Sequence, residues 1–596
     1  MPVSQLALAE VAVEVERRGD RFLLRSGHAL PPGPERLGDL LREAASRAPD
    51  RRFLIEREAP HRLREVSYRE ALAAAEGIAA RLAALGDDGP VAILSGNSVD
   101  HALLAFGAHL AGVPIAPISP AYSLMSRDFG KLRHVASKLR PSLIYVESHA
   151  PFAAALAATG LDALPLWTGG PERDPDHPWL RDAFGEAATT ESRAREAAVG
   201  PSTVAKILFT SGSTGIPKGV VTTHGMLTAN QRQIACLWPF LRESPPVIVD
   251  WLPWSHCFGG SHDFYLVPMH AGTLFVDEGK PSPALFGKSL ANLRSVSPTL
   301  YFNVPAGFAA LVPALEADAE AAARFFAELK VVFYAGAALP DDLWQRLIRL
   351  AKGTVGEAPF LTTAWGSTET SPLVTSAHFP LDRAGNVGVP APGVELSLVP
   401  NGAKLEVRVK GPNVMQGYLD EPALTAAAFD DEGYYCIGDA VRFADPDDPA
   451  AGLLFDGRVA EDFKLASGTW VHVSAVRTEL LAAASPALQD LVVAGHDRAA
   501  LGVMVWASPA GLAQLEGDDP LRAHLMRAVT AYNRAHPESS RRIARLLVLD
   551  TPADIDAGEI TDKGYVNQRA TLERRAAEVE RLFAADPDEA VLVFDR

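Results

Sequence analysis

The sequence predicts an α/β protein with a large N-terminal body and a small α+β C-terminal domain. An apolar run at 91–94, a helical pattern at 100–111 and a second apolar run at 113–117 have the spacing of a parallel strand–helix–strand unit. Apolar and polar residues alternate over 388–410, as they do in antiparallel strands with one buried face. Beyond Arg458 the chain changes to short apolar runs, two charged helical patterns and a lysine-bearing loop, which indicates a second domain.

The other elements follow from apolar spacing and from the glycines and prolines that end each run. Helical spacing predicts helices at 37–46, 68–85, 314–330 and 341–351. Short apolar runs predict strands at 331–334 and 360–365. Residues 168–203 are rich in Gly, Pro, Asp and Glu, which predicts a surface connection. The two domains are therefore predicted at 1–458 and 459–596.

Charge and cysteine content favour a reduced, cytoplasmic protein. The 596 residues carry a formal net charge of −17 without long single-sign blocks, whereas a nucleic-acid-binding surface needs a basic stripe. Cys236, Cys257 and Cys436 are too scattered for a disulfide framework or a cysteine zinc site. No secretory pattern is recognised, and the most apolar window, 101–117, is interrupted and too short for a membrane span. We expect no nucleic-acid partner and no integral membrane contact; the oligomeric state, monomer or homodimer, stays open.

Residues 208–221, LFTSGSTGIPKGVV, have the composition of a phosphate-binding loop. Glycines allow the backbone to approach a ligand closely, hydroxyl groups donate hydrogen bonds, and Lys218 adds a mobile positive charge. Successive backbone N–H groups in such a turn bind anions. The candidate phosphate-binding residues are Thr210, Ser211, Gly212, Ser213, Thr214, Gly215 and Lys218. The spacing differs from G-x-x-x-x-G-K-[ST], so this is not a Walker A loop.

Two further segments have side chains suited to a nucleotide. AWGSTETSP, residues 364–372, follows an apolar run, and Glu369 is a candidate Mg²⁺ ligand because magnesium takes one or two carboxylates beside phosphate oxygens. Thr368 is placed to bind the α-phosphate and Trp365 to stack on a ring. In YYCIGDAVRF, Asp439 lies at a glycine turn, where a carboxylate accepts hydrogen bonds from ribose hydroxyls.

The sequence shows no pattern typical of a zinc site or of a serine nucleophile. The histidines His256, His262 and His270 lack the spacing of a zinc protease or zinc finger. A G-x-S-x-G segment is missing from the sequence, which disfavours a covalent serine mechanism.

These segments, in this order, resemble the motifs of the adenylate-forming superfamily, which contains acyl-CoA synthetases, peptide-synthetase adenylation domains and luciferases. The resembling segments are TSGSTGIPKGV, AWGSTETSP, YYCIGDAVRF, FDGRVAEDFKLASGTWV and EITDKGYVNQR, and GNSVDHALLAFGAHLAGVPIAPISPAY resembles an early structural motif. The resemblance implies an acetyl-CoA synthetase-like fold, with layered α/β and β-barrel-like parts in the body and a mobile C-terminal domain. It also implies ATP, Mg²⁺ and coenzyme A as co-substrates or cofactors.

The resemblance assigns roles to residues by motif position. Lys563 matches the catalytic lysine, which stabilises charge that develops as the carboxylate displaces pyrophosphate. The adenine- and ribose-side residues are Gly336, Ala337, Ala338, Trp365, Gly366, Ser367, Asp439 and Arg458. The acyl-pocket residues are His256, Phe258, Gly336, Gly366, Pro372 and Leu373. Gly468 and Thr469 are assigned to the CoA channel. Two positions depart from the family pattern, with Ile437 at a usual threonine and Ala460 at the usual hinge Asp or Lys.

EDFKLASGTWV and EITDKGYVNQRA most resemble the feruloyl-CoA synthetase group, which implies a hydroxycinnamate substrate. The implied reaction forms an acyl adenylate, after which the small domain rotates and the CoA thiol takes the acyl group. Three alternatives stay open: a fatty acid or a benzoate as substrate, transfer to a carrier-protein thiol, and a nucleotide-binding regulator without catalysis.

Overall fold

A computed structural model describes residues 6–59, 61–210, 216–402, 404–512, 515, 520–560 and 566–594. The strands in these residues are β1 (Val13–Arg18), β2 (Arg21–Ser26), β3 (Arg52–Ala59), β4 (Arg62–Ser67), β5 (Val91–Ile93), β6 (Ile115–Pro117), β7 (Leu143–Val146), β8 (Leu166–Thr168), β9 (Val204–Thr210), β10 (Lys218–Thr223), β11 (Val247–Asp250), β12 (Thr273–Val276), β13 (Leu300–Asn303), β14 (Val331–Tyr334), β15 (Phe360–Gly366), β16 (Leu373–Ser376), β17 (Asn386–Pro390), β18 (Glu395–Asn401), β19 (Lys404–Lys410), β20 (Tyr435–Phe443), β21 (Leu453–Arg458), β22 (Phe463–Lys464), β23 (Trp470–Val471), β24 (Leu488–Ala494), β25 (Leu501–Ala507), β26 (Ile543–Val548) and β27 (Val591–Val593).

The helices in the same residues are α1 (Leu37–Arg47), α2 (Tyr68–Leu85), α3 (Val99–Ala111), α4 (Ala121–Leu124), α5 (Gly130–Leu139), α6 (Ala153–Thr159), α7 (Thr190–Ala198), α8 (His224–Leu237), α9 (Phe264–Met269), α10 (Phe286–Ser295), α11 (Pro305–Ala317), α12 (Ala319–Phe326), α13 (Asp341–Val355), α14 (Pro422–Ala427), α15 (Val473–Ala483), α16 (Pro509–Leu512), α17 (Pro520–Ala535), α18 (Gln568–Arg574) and α19 (Ala576–Leu582). A π-helical segment, Phe258–Asp263, precedes α9.

A fifteen-stranded sheet forms most of the body. Its strand order is β1-β2-β18-β19-β20-β21-β17-β16-β15-β14-β13-β11-β12-β3-β4. Strand β15 pairs in parallel with β14 and antiparallel with β16, so it joins a parallel half to an antiparallel half. The WGSTE motif therefore lies where the sheet changes direction. Strands β20 and β21, which carry Asp439 and Arg458, lie in the antiparallel half.

A second sheet, ordered β10-β9-β6-β5-β7-β8, carries the glycine-rich segment at one side. Strands β5 to β9 are parallel, and β10 returns antiparallel to β9. Thr210 and Lys218 pair at the end of this hairpin, and Thr210 lies at the carboxyl edge of the sheet. That edge is where ligands bind in open α/β sheets.

Two helices show how local sequence sets this architecture. Helix α2 begins at a capping box, in which Ser67 accepts from the Glu70 N–H and Glu70 accepts from the Ser67 N–H. It ends at Gly86, whose φ of +70° suits glycine. Every residue of α3 is buried, which is typical of a helix enclosed between layers.

The C-terminal region has its own sheet, β24-β25-β26-β27, and a short β22–β23 hairpin. Among the described residues, the buried clusters that include Phe463 and later apolar residues contain none from before that point. The chain therefore contains a large α/β body and a small α+β unit, and the predicted fold class is confirmed. No helix in the described ranges is long and apolar enough to cross a membrane.

Most predicted elements are confirmed, one prediction was wrong, and one helix was not predicted. The single helix expected at 314–330 is two helices, because Asp318 leaves helical geometry and its carboxylate caps α12 through the Ala321 N–H. The surface connection expected at 168–203 contains α7, which begins at Thr189 with a reciprocal hydrogen bond to Ser192.

Candidate active site

A buried carboxylate joins β15, β20 and β21. Asp439 is 5% exposed, and its Oδ2 accepts a hydrogen bond from Trp365 Nε1 at 3.0 Å. Its Oδ1 lies 3.1 Å from Arg458 Nε, yet it has no aligned hydrogen-bond partner among the described residues. Burial raises the pKa of Asp439, and the Arg458 charge opposes that rise. One oxygen of a buried carboxylate is thus available to hydroxyl donors of a ligand.

A second cluster connects the glycine-rich hairpin to the WGSTE motif. Glu369 Oε1 accepts a hydrogen bond from the Tyr418 hydroxyl at 3.2 Å. Lys218 Nζ lies 5.5 Å from the centroid of the Tyr418 ring. The Leu419 N–H donates to the Gly219 carbonyl at 2.8 Å, so the segment that carries Tyr418 is held against β10. Tyr418 was not predicted, because it lies far from both partners in sequence and belongs to none of the recognised motifs.

The turn after β15 is tightly packed. A side chain at Gly366 would place a Cβ 1.7 Å from the Pro372 carbonyl oxygen, so only glycine fits. The Ser367 N–H donates to Thr370 Oγ1 at 2.9 Å. The Thr368 hydroxyl lies 3.4 Å from Cys257 Sγ, which ties the motif to the segment before the π-helix.

Two predicted segments fall outside the described residues, but their flanks are described. These segments contain Ser211, Gly212, Ser213, Thr214 and Gly215 of the glycine-rich loop, and Lys563 of the C-terminal loop.

Helix α5 contacts the flanks of both segments. His134 Nε2 lies 3.0 Å from the Pro217 carbonyl oxygen, directly after the first segment. Lys131 Nζ donates to the Ile555 carbonyl, and Asp556 accepts from the Ser126 hydroxyl at 2.7 Å. Positions three apart lie on one face of a helix, so a single face of α5 contacts both neighbourhoods.

Comparison with known proteins identifies the family. Residues 41–419, well over half of the chain, match the model of the AMP-binding enzyme family. The chain belongs to the AMP-binding enzyme family. Residues 465–587 match the C-terminal domain of AMP-binding enzymes.

Relatives of this AMP-binding enzyme differ in their named substrates. Feruloyl-CoA synthase of Amycolatopsis sp is 26% identical over 442 residues, covering 72% of this chain and 80% of that protein. The mitochondrial malonate–CoA ligase of Bos taurus is 25% identical over 489 residues, covering 75% and 77%. Against two relatives of Arabidopsis thaliana, the chain spans 64% and 61% of their lengths. The solved anthranilate CoA ligase with anthranoyl-AMP shares the fold, with a TM-score of 0.73, 20% identity and coverage of 91% of this chain and 97% of that one.

The predicted acyl-pocket residues of this AMP-binding enzyme come from three segments. His256 Nδ1 accepts from the Phe258 N–H at 3.3 Å, and the Phe258 ring is buried. Leu373 is buried at the start of β16, next to half-buried Pro372. Gly336 follows β14 with a φ of +85°, ahead of the exposed Ala337 and Ala338. Because β14 and β15 are parallel neighbours, the turns containing Gly336 and Gly366 leave the same edge of the sheet.

His262, which the sequence did not assign to the pocket, lies beside Phe258. Its ring is 2% exposed, and ring centroids of Phe258, Phe302 and Phe333 lie 5.9, 5.6 and 5.1 Å away. His262 Nδ1 lies 2.7 Å from Asp263 Oδ1, and Nε2 has no partner among the described residues. Burial lowers the pKa of His262 to about 3 and raises the pKa of Asp263. The spacing of one helical turn from Phe258 is the sequence signal that would have found it.

Lys206 ties the glycine-rich hairpin to the π-helix. It lies on β9, is 2% exposed, and its ammonium donates to the Gly260 carbonyl. Its Nζ also lies 4.9 Å from the centroid of the Tyr265 ring. Burial lowers the pKa of Lys206 from 10.5 to about 7.

Replacing Lys206 with methionine should change how stability depends on pH. Between pH 7 and 10.5 the unfolded chain binds a proton that folded Lys206 does not, so the unfolding free energy of the wild type rises with pH in that window. The methionine variant lacks this contribution. Its stability relative to wild type should therefore fall by about 3 kcal/mol between pH 7 and 9.5. Apparent melting temperatures at both pH values measure the effect. A stability difference between variant and wild type that stays constant with pH would contradict the assignment.

The residues predicted for the hinge and the CoA channel lie after β21. Asp462 is buried between Lys404 Nζ at 2.5 Å and His472 Nδ1 at 2.8 Å, and so links the body to the start of α15. Gly468 and Thr469 form the turn of the β22–β23 hairpin, where the Leu465 N–H donates to the Thr469 carbonyl at 2.9 Å. The described hydrogen bonds of this hairpin reach residues 497 and 498 rather than the Asp439 cluster.

Proposed function

We propose that this AMP-binding enzyme is an ATP-dependent acid–CoA ligase that forms an acyl adenylate and transfers the acyl group to CoA. In the first step a carboxylate oxygen of the acid attacks the α-phosphorus of ATP, and pyrophosphate leaves. In the second step the CoA sulfur attacks the acyl carbonyl carbon, and AMP leaves. The observation that carries the proposal is buried Asp439, which accepts from Trp365 and whose Oδ1 lies beside Arg458 without an aligned hydrogen bond to any described residue.

The nucleotide fits the described clusters. The ribose hydroxyls of ATP would donate to Asp439, whose burial strengthens such hydrogen bonds. Arg458 is half exposed beside it and would contact the ribose or a phosphate. Glu369 fits Mg²⁺, because one of its oxygens has only a neutral phenol as partner and the other makes no described hydrogen bond. Mg²⁺ bound there would neutralise phosphate charge, and Thr368 would contact the α-phosphate.

The contacts of α5 support a catalytic position for Lys563. Ile560 and Val566, which stand on either side of 561–565 in the sequence, form an isolated antiparallel bridge. Before this bridge, the Ile555 carbonyl accepts from Lys131, on the face of α5 where His134 contacts Pro217, and Asp556 contacts Ser126, which precedes α5. This arrangement is compatible with an ammonium at the α-phosphate. For the second step we propose rotation of the domain 459–596 about the Asp462 region, with Gly468 and Thr469 lining the CoA channel.

For the acid, we propose a hydroxycinnamate such as ferulate. The rings of Phe258, Phe302 and Phe333 suit a flat aryl group, and His262 Nε2 is a polar atom without a partner in that apolar surrounding. A phenolic hydroxyl both donates and accepts, so it would satisfy either tautomer of this imidazole. The feruloyl-CoA synthase relative is compatible with this choice.

Carboxylate-dependent pyrophosphate release tests the proposal. Ferulate, benzoate and a fatty acid are compared, each with and without CoA. We expect release that is selective for ferulate and turns over steadily only with CoA. Acid-dependent release that CoA does not stimulate would favour a carrier-protein thiol as acceptor. ATP binding without release for any acid would contradict the catalytic proposal.

His262→Phe should lower discrimination for the phenolic hydroxyl. The variant keeps an aromatic ring but loses the polar nitrogen, and a hydrogen bond to a buried neutral partner contributes about 1 kcal/mol or more. The ratio of kcat/KM for 4-hydroxycinnamate over cinnamate should therefore fall about tenfold, with cinnamate itself little affected. An unchanged ratio would remove His262 from the pocket.

A further inference from the structure

We infer a structural zinc site formed by His149, Asp174 and His177. Their potential ligand atoms, one from each side chain, all lie within 4.8 Å of one another. Within the described part of the chain, this is the one group of three or more such side chains close enough to share an ion. Two imidazoles and a carboxylate are ligands that zinc accepts.

The distances require only small side-chain movements. Tetrahedral zinc with bonds of about 2.0–2.2 Å holds neighbouring ligand atoms about 3.3 Å apart. Asp174 Oδ2 and His177 Nδ1 are already 3.1 Å apart. The His149 and His177 ring centroids are 4.5 Å apart, with an interplanar angle of 35°. Solvent would supply the fourth ligand, because all three side chains are partly exposed.

A hydrogen-bonded turn explains one contact but not the whole group. Asp174 Oδ1 accepts a hydrogen bond from the Asp176 N–H at 2.9 Å, and Asp174 Oδ2 lies beside His177 Nδ1. Hydrogen bonds of this kind, between an aspartate and residues two or three positions later, are common in loops. His149 belongs to a different loop, and neither of its ring nitrogens hydrogen-bonds any described residue. An ion bound by all three would give this second imidazole a partner.

The backbone holds both loops in place before any ion binds. His149 lies three residues beyond β7, and the loop after β8 supplies the other two ligands. The Gly169 N–H donates to the Val146 carbonyl at 3.1 Å, which joins the two strand ends. Thr168 and Trp179 form an isolated parallel bridge, so the two ends of the loop 169–178 are held together. A preformed site loses little conformational entropy on binding.

The site's place in the sheet indicates a structural role. Strands β7 and β9 are separated by β5 and β6, which places Thr210, at the end of β9, about 14 Å to the side along the same edge. That separation is too large for the ion to be the magnesium of the nucleotide. The inference is therefore independent of the proposed function.

Zinc binding to the full-length protein tests the inference. Protein stripped with a chelator and kept free of nucleotide is titrated with Zn²⁺ against a chromogenic competitor, and retained metal is counted by mass spectrometry after desalting. We expect His149→Ala and His177→Ala each to weaken zinc binding at least about tenfold. The double variant, with both histidines replaced by alanine, should retain about one zinc per chain less than the wild type. Its melting temperature should no longer rise when zinc is added.

The control is His496→Ala. His496 Nδ1 also lies 3.1 Å from an aspartate oxygen, that of Asp497, but it has no second imidazole in a three-residue group. This variant should bind zinc as the wild type does. Circular dichroism checks that the surface variants fold. Equal zinc content and affinity in the wild type and the folded double variant would assign the ion to other groups and overturn the inference.

Discussion

Lys563→Ala should lower the rate of acyl-adenylate formation about 100- to 1000-fold, because a positioned ammonium stabilises charge that develops on the α-phosphate. The Ile555 carbonyl, eight residues before Lys563, accepts from Lys131 of α5, and His134 of the same helix lies 3.0 Å from the Pro217 carbonyl oxygen. Acid-dependent pyrophosphate release measures the first step. The loss should be selective, because the proposed rotation withdraws Lys563 before the thiol attacks. Thioester formation from a supplied acyl adenylate should therefore stay within about threefold of wild type.

The comparison variant is Lys288→Ala, which removes an exposed lysine from α10. Its adenylation rate should match wild type. If Lys563→Ala lowered both half-reactions equally, the lysine would act in both steps or the variant would have lost its structure, and a melting curve separates these cases. Undiminished adenylation would remove Lys563 from the catalytic site.

Asp439→Asn should raise the KM for ATP and lower kcat/KM for ATP about 100-fold. The side chain keeps its shape and still accepts from Trp365 Nε1, but the negative charge that would accept two ribose hydroxyls is gone. Hydrogen bonds to a charged group contribute about 1.5–3 kcal/mol each. The KM for the acid should change much less, because the predicted acyl pocket lies on other segments. Steady-state kinetics with varied ATP and varied acid separate the two effects.

Asp456→Asn provides a matched control, since it changes a carboxylate on β21 two residues from Arg458. It should leave the KM for ATP unchanged.

A second test compares ATP with analogues that lack one ribose hydroxyl. 2′-Deoxy- and 3′-deoxy-ATP should lose less affinity with Asp439→Asn than ATP does, because each already lacks one hydroxyl. Equal losses for all three nucleotides would mean that Asp439 does not contact the ribose.

The local sequence was sufficient to predict a helix where its apolar spacing and its terminal residues agree. Helix α2 was predicted at its observed bounds from its helical spacing, and the structure shows that Ser67 and Gly86 cap it at both termini. Helix α7 was missed, since Ser192 is its one buried residue and no apolar stripe distinguishes it from a polar loop. At Asp318 the capping function outweighed the helix propensity of the surrounding alanines.

The residues of the candidate site also divide into those that lie in a local motif and those whose contacts are distant in sequence. Asp439 and Glu369 lie in motifs that can be read locally. Tyr418 could not be assigned, because its contacts depend on segments that the sheet brings together. His262 was missed although its spacing of one helical turn from Phe258 can be read in the sequence. A pattern of neighbouring residues does not encode which distant segments meet.

The order of strands in the large sheet has a consequence for synthesis on the ribosome. Both outer strands, β1 and β4, lie within the first 67 residues, whereas β2 pairs with β18. Arg25 and Glu395, which pair across this contact, are 370 residues apart. At about 5–20 residues per second, the nascent N-terminal hairpin waits roughly 20–75 s for its partner strand. During that interval the inner edge of β2 is open to pairing with other chains, so the yield of folded protein should depend on chaperones that shield nascent strands.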